Sequence, residues 1–240
     1  MPNLEPLVFY DIASGPPVRT YAPNPWKARL ALNIKRVPYV TSWTELPDIS
    51  KVRIAAGVPA SRKFADGTDY HTLPMLRDPN TQTDTGDSFD IACYLDASYR
   101  DLGEVLFPDD ATDALHAGLS YRSPHADIAI FAPLSENKTE IHKDYASFNT
   151  QVDATFSAYV VMFSHGLPFN PDTADKMAAL FKNGPFMDGE RVTYADVIVG
   201  GWLRMLSVTM PTEEWEDLKT WHGGLFGTLY KAMELYAEIK

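Results

Sequence analysis

Apolar residues recur along this chain in two rhythms, and the rhythm changes near residue 100. Before that point, short apolar clusters alternate with polar stretches broken by proline. Leu7, Val8, Phe9 and Tyr10 form a run of the length expected for a buried strand. Pro16, Pro17 and Pro23 interrupt regular structure after it. Asn24 and Pro25 predict a helix start, with Asn as the cap and Pro at the first helical position, and the helix carries Trp26, Leu30, Ala31 and Ile34. Residues 39–44 are β-branched and aromatic, which predicts a second strand. A weaker helix follows Pro47, and residues 59–70 read as polar and irregular. Residues 71–77 predict a strand with Pro74 near its start, and residues 81–85 a short strand beyond the turn at Asp78, Pro79 and Asn80. Asp87 and Ser88 then cap a helix with Phe89, Ile91, Ala92 and Leu95 on its apolar side. The predicted order is β-α-β-α-β-β-α.

Beyond residues 101–110, where Gly103, Pro108 and an acidic pair suggest a linker, the pattern is helical. Residues 111–131 predict one helix disturbed at Pro124. Ile141, Tyr145, Phe148, Val152, Phe156, Tyr159, Val160 and Phe163 recur at steps of three and four, marking a long amphipathic helix over 138–163. A shorter helix is expected over 172–181. Residues 194–210 are almost entirely apolar, which predicts a helix buried on all sides and ended by Pro211. Helices over 213–221 and 225–239 finish the chain. The expected organisation is an α/β unit over 1–100, a linker over 101–110 and an all-helical unit over 111–240.

With 240 residues, the chain can bury roughly 70% of its extended surface and needs neither disulfide nor metal to hold a core. Its net charge of −11 repels phosphate backbones, so nucleic acid and anionic membrane are not expected partners. No apolar run approaches the roughly 20 residues of a membrane span. Residues 1–10 lack a basic segment and a long apolar core, so no signal peptide is read there. Cys93 is the sole cysteine, which excludes an internal disulfide, a CxxC motif and a thiolate zinc site. None of the six histidines forms a metal pair, and no metal is predicted. A reducing, cytoplasmic setting is the expectation.

Three local constellations carry chemistry. In the first, Thr72, Leu73, Pro74 and Met75 place a proline at a strand start. It reads either as an ordinary edge-strand opening or as a cis-proline that turns the Leu73 backbone outward, able to pair with an extended peptide. The second is the run Gly86, Asp87, Ser88, Phe89. It reads either as a plain helix cap or as a site where free N–H groups and the Ser88 hydroxyl hold a carboxylate while Asp87 accepts from an amine. The γ-glutamyl end of glutathione has both groups. The third, Thr193, Tyr194, Ala195 and Asp196, is a capping box with Val192 as its hydrophobic staple, and its role is structural.

In this order the three resemble a cytosolic glutathione transferase, and the likeness spans nearly the whole chain. The stretch from Phe9 to Ile12 together with that from Ala22 to Lys27 resembles, more narrowly, the fungal-specific class A (FuA) transferases, which are related to bacterial β-etherases. The resemblance implies a thioredoxin-like N-terminal domain followed by an all-α domain. It also implies glutathione as co-substrate, a homodimer, and binding of small aromatic, lignin-derived compounds.

Carried over residue by residue, it implies that Leu73 pairs with the cysteinyl unit, that Pro74 is cis, and that Asp87 and Ser88 hold the γ-glutamyl end. Lys63, with Arg62 or His71 as substitutes, would meet the glycyl carboxylate, and Trp26 would sit beside the thiol; a surface lysine and a core aromatic are the plain readings of those two. At the thiol this chain departs from the pattern it resembles, since Ala22 stands where the β-etherase-like pattern has serine and cannot donate to a thiolate. Asn24 is the candidate catalytic donor, ahead of Tyr21 and Tyr10. Pro23 and Pro25 from below, and Tyr121, Pro124, His125 and Phe131 from the helical side, would wall the hydrophobic-substrate cleft. An enzyme, a ligandin for aromatic metabolites and an interaction protein keeping only the fold all remain compatible with these residues.

Overall fold

The computed structural model of the chain describes residues 4–15, 20–64, 66–108, 142–164, 178–179, 181 and 183–240. The first apolar cluster becomes strand β1 (Leu7–Ile12), whose alternate residues Leu7, Phe9 and Asp11 are buried. Helix α1 (Pro23–Ile34) returns the chain to β2 (Tyr39–Thr44), which runs parallel to β1 with Leu7 opposite Tyr39. A short 3₁₀ turn at Leu46–Asp48 leads into α2 (Ile49–Ala55). Two strands of two residues follow, β3 (Arg62–Lys63) and β4 (Asp69–Tyr70). Then come β5 (Met75–Asp78), β6 (Thr83–Gly86) and α3 (Ser88–Ser98). The main sheet has the order β2-β1-β5-β6, with β5 antiparallel to both neighbours. This is the mixed sheet of a thioredoxin-like domain.

Three boundaries differ from the sequence expectation. Helix α1 begins at Pro23, with Ala22 rather than Asn24 as its cap. Ala22 is held extended (φ −68°, ψ 140°), the conformation a residue before proline prefers. Pro23 and Pro25 both fit the first turn, where a missing N–H costs no helical bond. Residues 59–70 are not irregular throughout. The Asp66 carboxylate accepts from the Thr68 N–H at 2.9 Å and closes a tight turn, so Arg62 pairs with Tyr70 and Lys63 with Asp69. Finally, β5 starts only at Met75, because Leu73 and Pro74 precede the ladder.

Among the described residues the second half forms the helices α4 (Lys143–Ser164), α5 (Tyr194–Thr209) and α6 (Thr212–Ala232), the last interrupted by non-helical backbone from Trp221 to Gly224. The helices predicted over 111–131 and most of that over 172–181 lie outside the described residues. Helix α5 opens with the predicted capping box. The Asp196 carboxylate accepts from the Thr193 N–H at 2.8 Å and from the Met187 N–H at 2.7 Å, with Val192 buried beside it. Gly201 lets α5 approach α1 closely, since a Cβ there would lie 2.8 Å from the Pro23 carbonyl oxygen.

Helix α1 is therefore buried on every side, between the sheet, α3 and α5. Even its cations, and Lys35 at its C-terminal cap, are enclosed. Lys27, Arg29 and Lys35 are all fully buried, and each meets a different carboxylate: Asp153 on α4, Asp11 on β1 at 2.7 Å, and Asp96 on α3 at 3.0 Å. Burial raises the Asp11 pKa above the ordinary carboxylate value, with Arg29 opposing the shift.

Candidate functional site

The start of α1, the Leu73-Pro74 turn and the start of α3 converge on one cavity of about 170 Å³. Its lining includes Ala22, Pro23, Asn24 and Pro25 from α1 and its cap, then Leu73 and Pro74, then Asp87 and Ser88. Ser61, Tyr70 and Thr72 also line it, and Asn149 and Asp153 of α4 add lining from the helical half.

The peptide bond between Leu73 and Pro74 is cis. The Asp87 N–H donates to the Pro74 carbonyl at 3.2 Å, so the proline turn and the α3 cap are tied together across β5 and β6. Asp87 itself has φ +79° and ψ 138°, a backbone region that non-glycine residues rarely enter. Such a conformation costs on the order of 1–3 kcal/mol and persists where the surroundings impose it, often at functional sites. Its carboxylate accepts from the Phe89 N–H at 3.1 Å, capping α3. Burial, and then the neighbouring Asp90, raise its pKa, while Lys27 works in the opposite direction.

Behind the proline turn lies Arg53 of α2, almost fully buried. It donates to the Thr72 carbonyl at 2.6 Å and also to that of Pro59, bracing the turn from below. Burial lowers its pKa, and Asp87 and Asp90 oppose that shift. Gly86 leaves room for the guanidinium, because a Cβ there would lie 2.8 Å from Val58 Cγ1 and would overlap Arg53.

The first turn of α1 has an unusual donor inventory. Pro23 and Pro25 carry no N–H, and the Trp26 N–H is used by the Ala22 carbonyl at 3.2 Å. Asn24 is therefore the residue of that turn whose backbone N–H the helix ladder leaves over, and Asn24 lines the same cavity.

Of the sequence-predicted residues, the cavity brings together Pro23, Asn24, Pro25, Leu73, Pro74, Asp87 and Ser88. It does not include Trp26, which is buried in the core with the Arg204 guanidinium 5.7 Å from its ring centroid. Nor does it include Lys63 or His71. The Lys63 side chain is 70% exposed and 3.5 Å from Asp69 across the β3–β4 hairpin, which turns it towards solvent. The Arg62 side chain, and the proposed cleft walls Tyr121, Pro124, His125 and Phe131, lie outside the described residues. Sequence reasoning took Thr72 only as part of the proline motif and missed Ser61, Tyr70, Asn149 and Asp153. The last two carry a readable signal: they are polar residues four apart, each one position beyond an apolar residue of the buried stripe, Phe148 and Val152. No helix among the described residues is long and apolar enough to cross a membrane.

Comparison with known proteins agrees with this fold. The family model described as glutathione S-transferase, N-terminal domain, matches residues 21–98, and that described as glutathione S-transferase, C-terminal domain, matches residues 171–236. The chain belongs to the glutathione S-transferase family. The crystal structure of glutathione transferase GSTFuA3 from Phanerochaete chrysosporium is 28% identical, with a TM-score of 0.70 over 99% of this chain and 100% of that one. A glutathione S-transferase of Ceriporiopsis subvermispora, crystallised in complex with glutathione, is also 28% identical, with a TM-score of 0.66 over 98% of this chain and 99% of that one. Among curated proteins, the glutathione S-transferase-like protein ustS of Aspergillus flavus is 27% identical over 97% of this chain and 91% of its own length. The similarity to fungal FuA structures read from the residues around α1 thus extends over the whole fold.

Proposed function

We propose that this family member binds reduced glutathione in the cavity between α1, the Leu73-Pro74 turn and α3, and activates its thiol. The observation that carries the reading is the union of Leu73, Pro74, Asp87 and Ser88 in one cavity with the start of α1. The Leu73 backbone pairs with the cysteinyl unit. Ser88 and the N-terminal N–H groups of α3 take the γ-glutamyl carboxylate, and Asp87 takes its ammonium. The thiol then points to the start of α1, and Ser61, Tyr70 and Thr72 receive the glycyl end in place of Lys63.

Lowering a thiol from about 8.5 by two pKa units requires about 2.7 kcal/mol of preferential thiolate stabilisation. Ala22 contributes none of it. Asn24 offers a backbone N–H and an amide N–H at the positive end of α1, and donors of this kind supply energy of that order. The thiolate attacks an electrophilic carbon of a small aromatic substrate; a C–S bond forms and the leaving group departs with its electron pair. With a hydroperoxide, the thiolate attacks the O–O bond; an S–O bond forms, the alcohol leaves, and a second glutathione thiol displaces water from the resulting sulfenic acid to give the disulfide. In this reading the protein acts as a cytoplasmic homodimer.

Ala22 also favours a second reading, a ligandin that sequesters aromatic compounds with little turnover. Steady-state assays with glutathione and either an activated aryl halide or an organic hydroperoxide separate the two. The enzyme reading expects turnover that Asn24→Ala lowers by about ten- to a hundredfold while glutathione affinity stays within about threefold. Aromatic binding without turnover favours the ligandin, and unchanged turnover in the variant removes Asn24 from the mechanism.

A further inference from the structure

Beside the start of α1, part of the cavity wall is polar and comes from α4. Asn149 and Asp153 stand one turn apart there, both lining the cavity and both nearly buried. The Lys27 ammonium, fully buried, donates to Asn149 Oδ1 at 2.9 Å and also to Asp153 Oδ1. Asn149 Nδ2 donates to Asp153 Oδ2 at 3.0 Å, and Trp202 Nε1 donates to Asp153 Oδ1 at 2.7 Å. An ammonium only donates and a carboxylate only accepts, so this pair fixes which end of the Asn149 amide is oxygen and which is nitrogen. One amide N–H is spent on Asp153. The second is left to the cavity that the side chain borders.

A buried lysine–carboxylate pair is a poor source of stability compared with apolar residues of the same volume, whereas a fixed polar geometry is what it supplies well. Here it fixes an amide that lines the same cavity as Ala22, which offers a thiol no donor. Lys27 stands one turn after Pro23 on α1, so the amide that Lys27 holds lies beside the start of that helix. The γ-glutamyl end already has Ser88 and the α3 N–H groups. We propose that Asn149, from the helical half, donates its second amide N–H to the glutathione thiolate, with Lys27 and Asp153 as positioning residues that hold the amide. The inference rests on the glutathione reading above. It makes thiol activation a task shared by two domains, with Asn24 at the start of α1 and Asn149 on α4.

The test is the thiol pKa of bound glutathione, read from thiolate ultraviolet absorbance across pH, in the unmodified protein, Asn149→Ala and Asn149→Leu. The Leu variant has no donor, adds no charge, fills nearly the same volume and leaves the Lys27–Asp153 pair in place, so it guards against a cavity defect in the Ala variant. Both are expected to raise the bound thiol pKa by about one unit, about tenfold less thiolate at a pH below it, with glutathione affinity changed less than about threefold. A purely structural role moves the melting temperature and leaves the thiol pKa where it was; that result overturns the inference while glutathione binding stands. Absence of glutathione binding by the unmodified protein overturns both the site reading and this inference.

Discussion

The backbone N–H of Asp87 is hydrogen-bonded to the carbonyl of Pro74 at 3.2 Å, so the turn that presents Leu73 and the cap that starts α3 cannot move independently. Arg53 extends this unit to Thr72 on the side away from the cavity. Pocket geometry here is thus set by residues that line it and by one that only braces it.

Gly86→Ala attacks the brace. The new methyl would overlap the Arg53 guanidinium and press on Val58. We expect a loss of about 1–3 kcal/mol in urea unfolding from overpacking. Displacement of the Thr72-Leu73 backbone should also weaken glutathione binding by about tenfold in calorimetry, roughly 1.4 kcal/mol. A variant that loses stability with unchanged affinity would uncouple Arg53 from the pocket.

Lys63→Ala should leave glutathione affinity within about twofold, because an exposed lysine paired with Asp69 outside the cavity contributes little. A loss above about fivefold would return Lys63 to the glycyl end.

Lys27→Met leaves the Asp153 carboxylate buried without its cation. The expected cost is about 3–5 kcal/mol in urea unfolding, and the double variant Lys27→Met with Asp153→Leu should recover much of it. If the double variant is as unstable as the single one, the pair matters through packing and not through charge.

Asp196, in the capping box of α5, has its pKa raised to about 6, by burial above all. The folded state therefore holds this proton more tightly than the unfolded chain. The stability it adds is full below about pH 4 and is lost as pH rises through about 6, an amount of roughly 2–3 kcal/mol. Unfolding free energies measured from pH 4 to pH 7 should show this fall in the unmodified protein relative to Asp196→Asn, which has no carboxyl to titrate. Parallel profiles would contradict it.

Much of this was legible in the residues. Alternation and apolar runs located β1, β2 and the long helices, because each buries a periodic face. Asp87 and Thr193 announced their helices because capping is local chemistry. The β3–β4 hairpin escaped notice because an Asp66–Thr68 turn holds it, and two-residue strands have no period to read. Trp26 and Lys63 were ambiguous for a related reason: sequence places a residue on a helix or strand, whereas the packing of α5 and the pairing of β3 with β4 decide which way it faces. Asn149 and Asp153 lie more than 120 positions from Lys27, so their meeting is a property of the tertiary fold alone.

The central claim is that the cavity is a glutathione site, and calorimetric titration of the folded, unmodified protein with reduced glutathione at neutral pH tests it most directly. The account predicts one site per chain with a dissociation constant between about a micromolar and a few millimolar, in the range usual for enzyme substrates. Absence of binding from a demonstrably folded sample would contradict the assignment of Leu73, Asp87 and Ser88 and would favour an interaction protein that keeps the transferase fold.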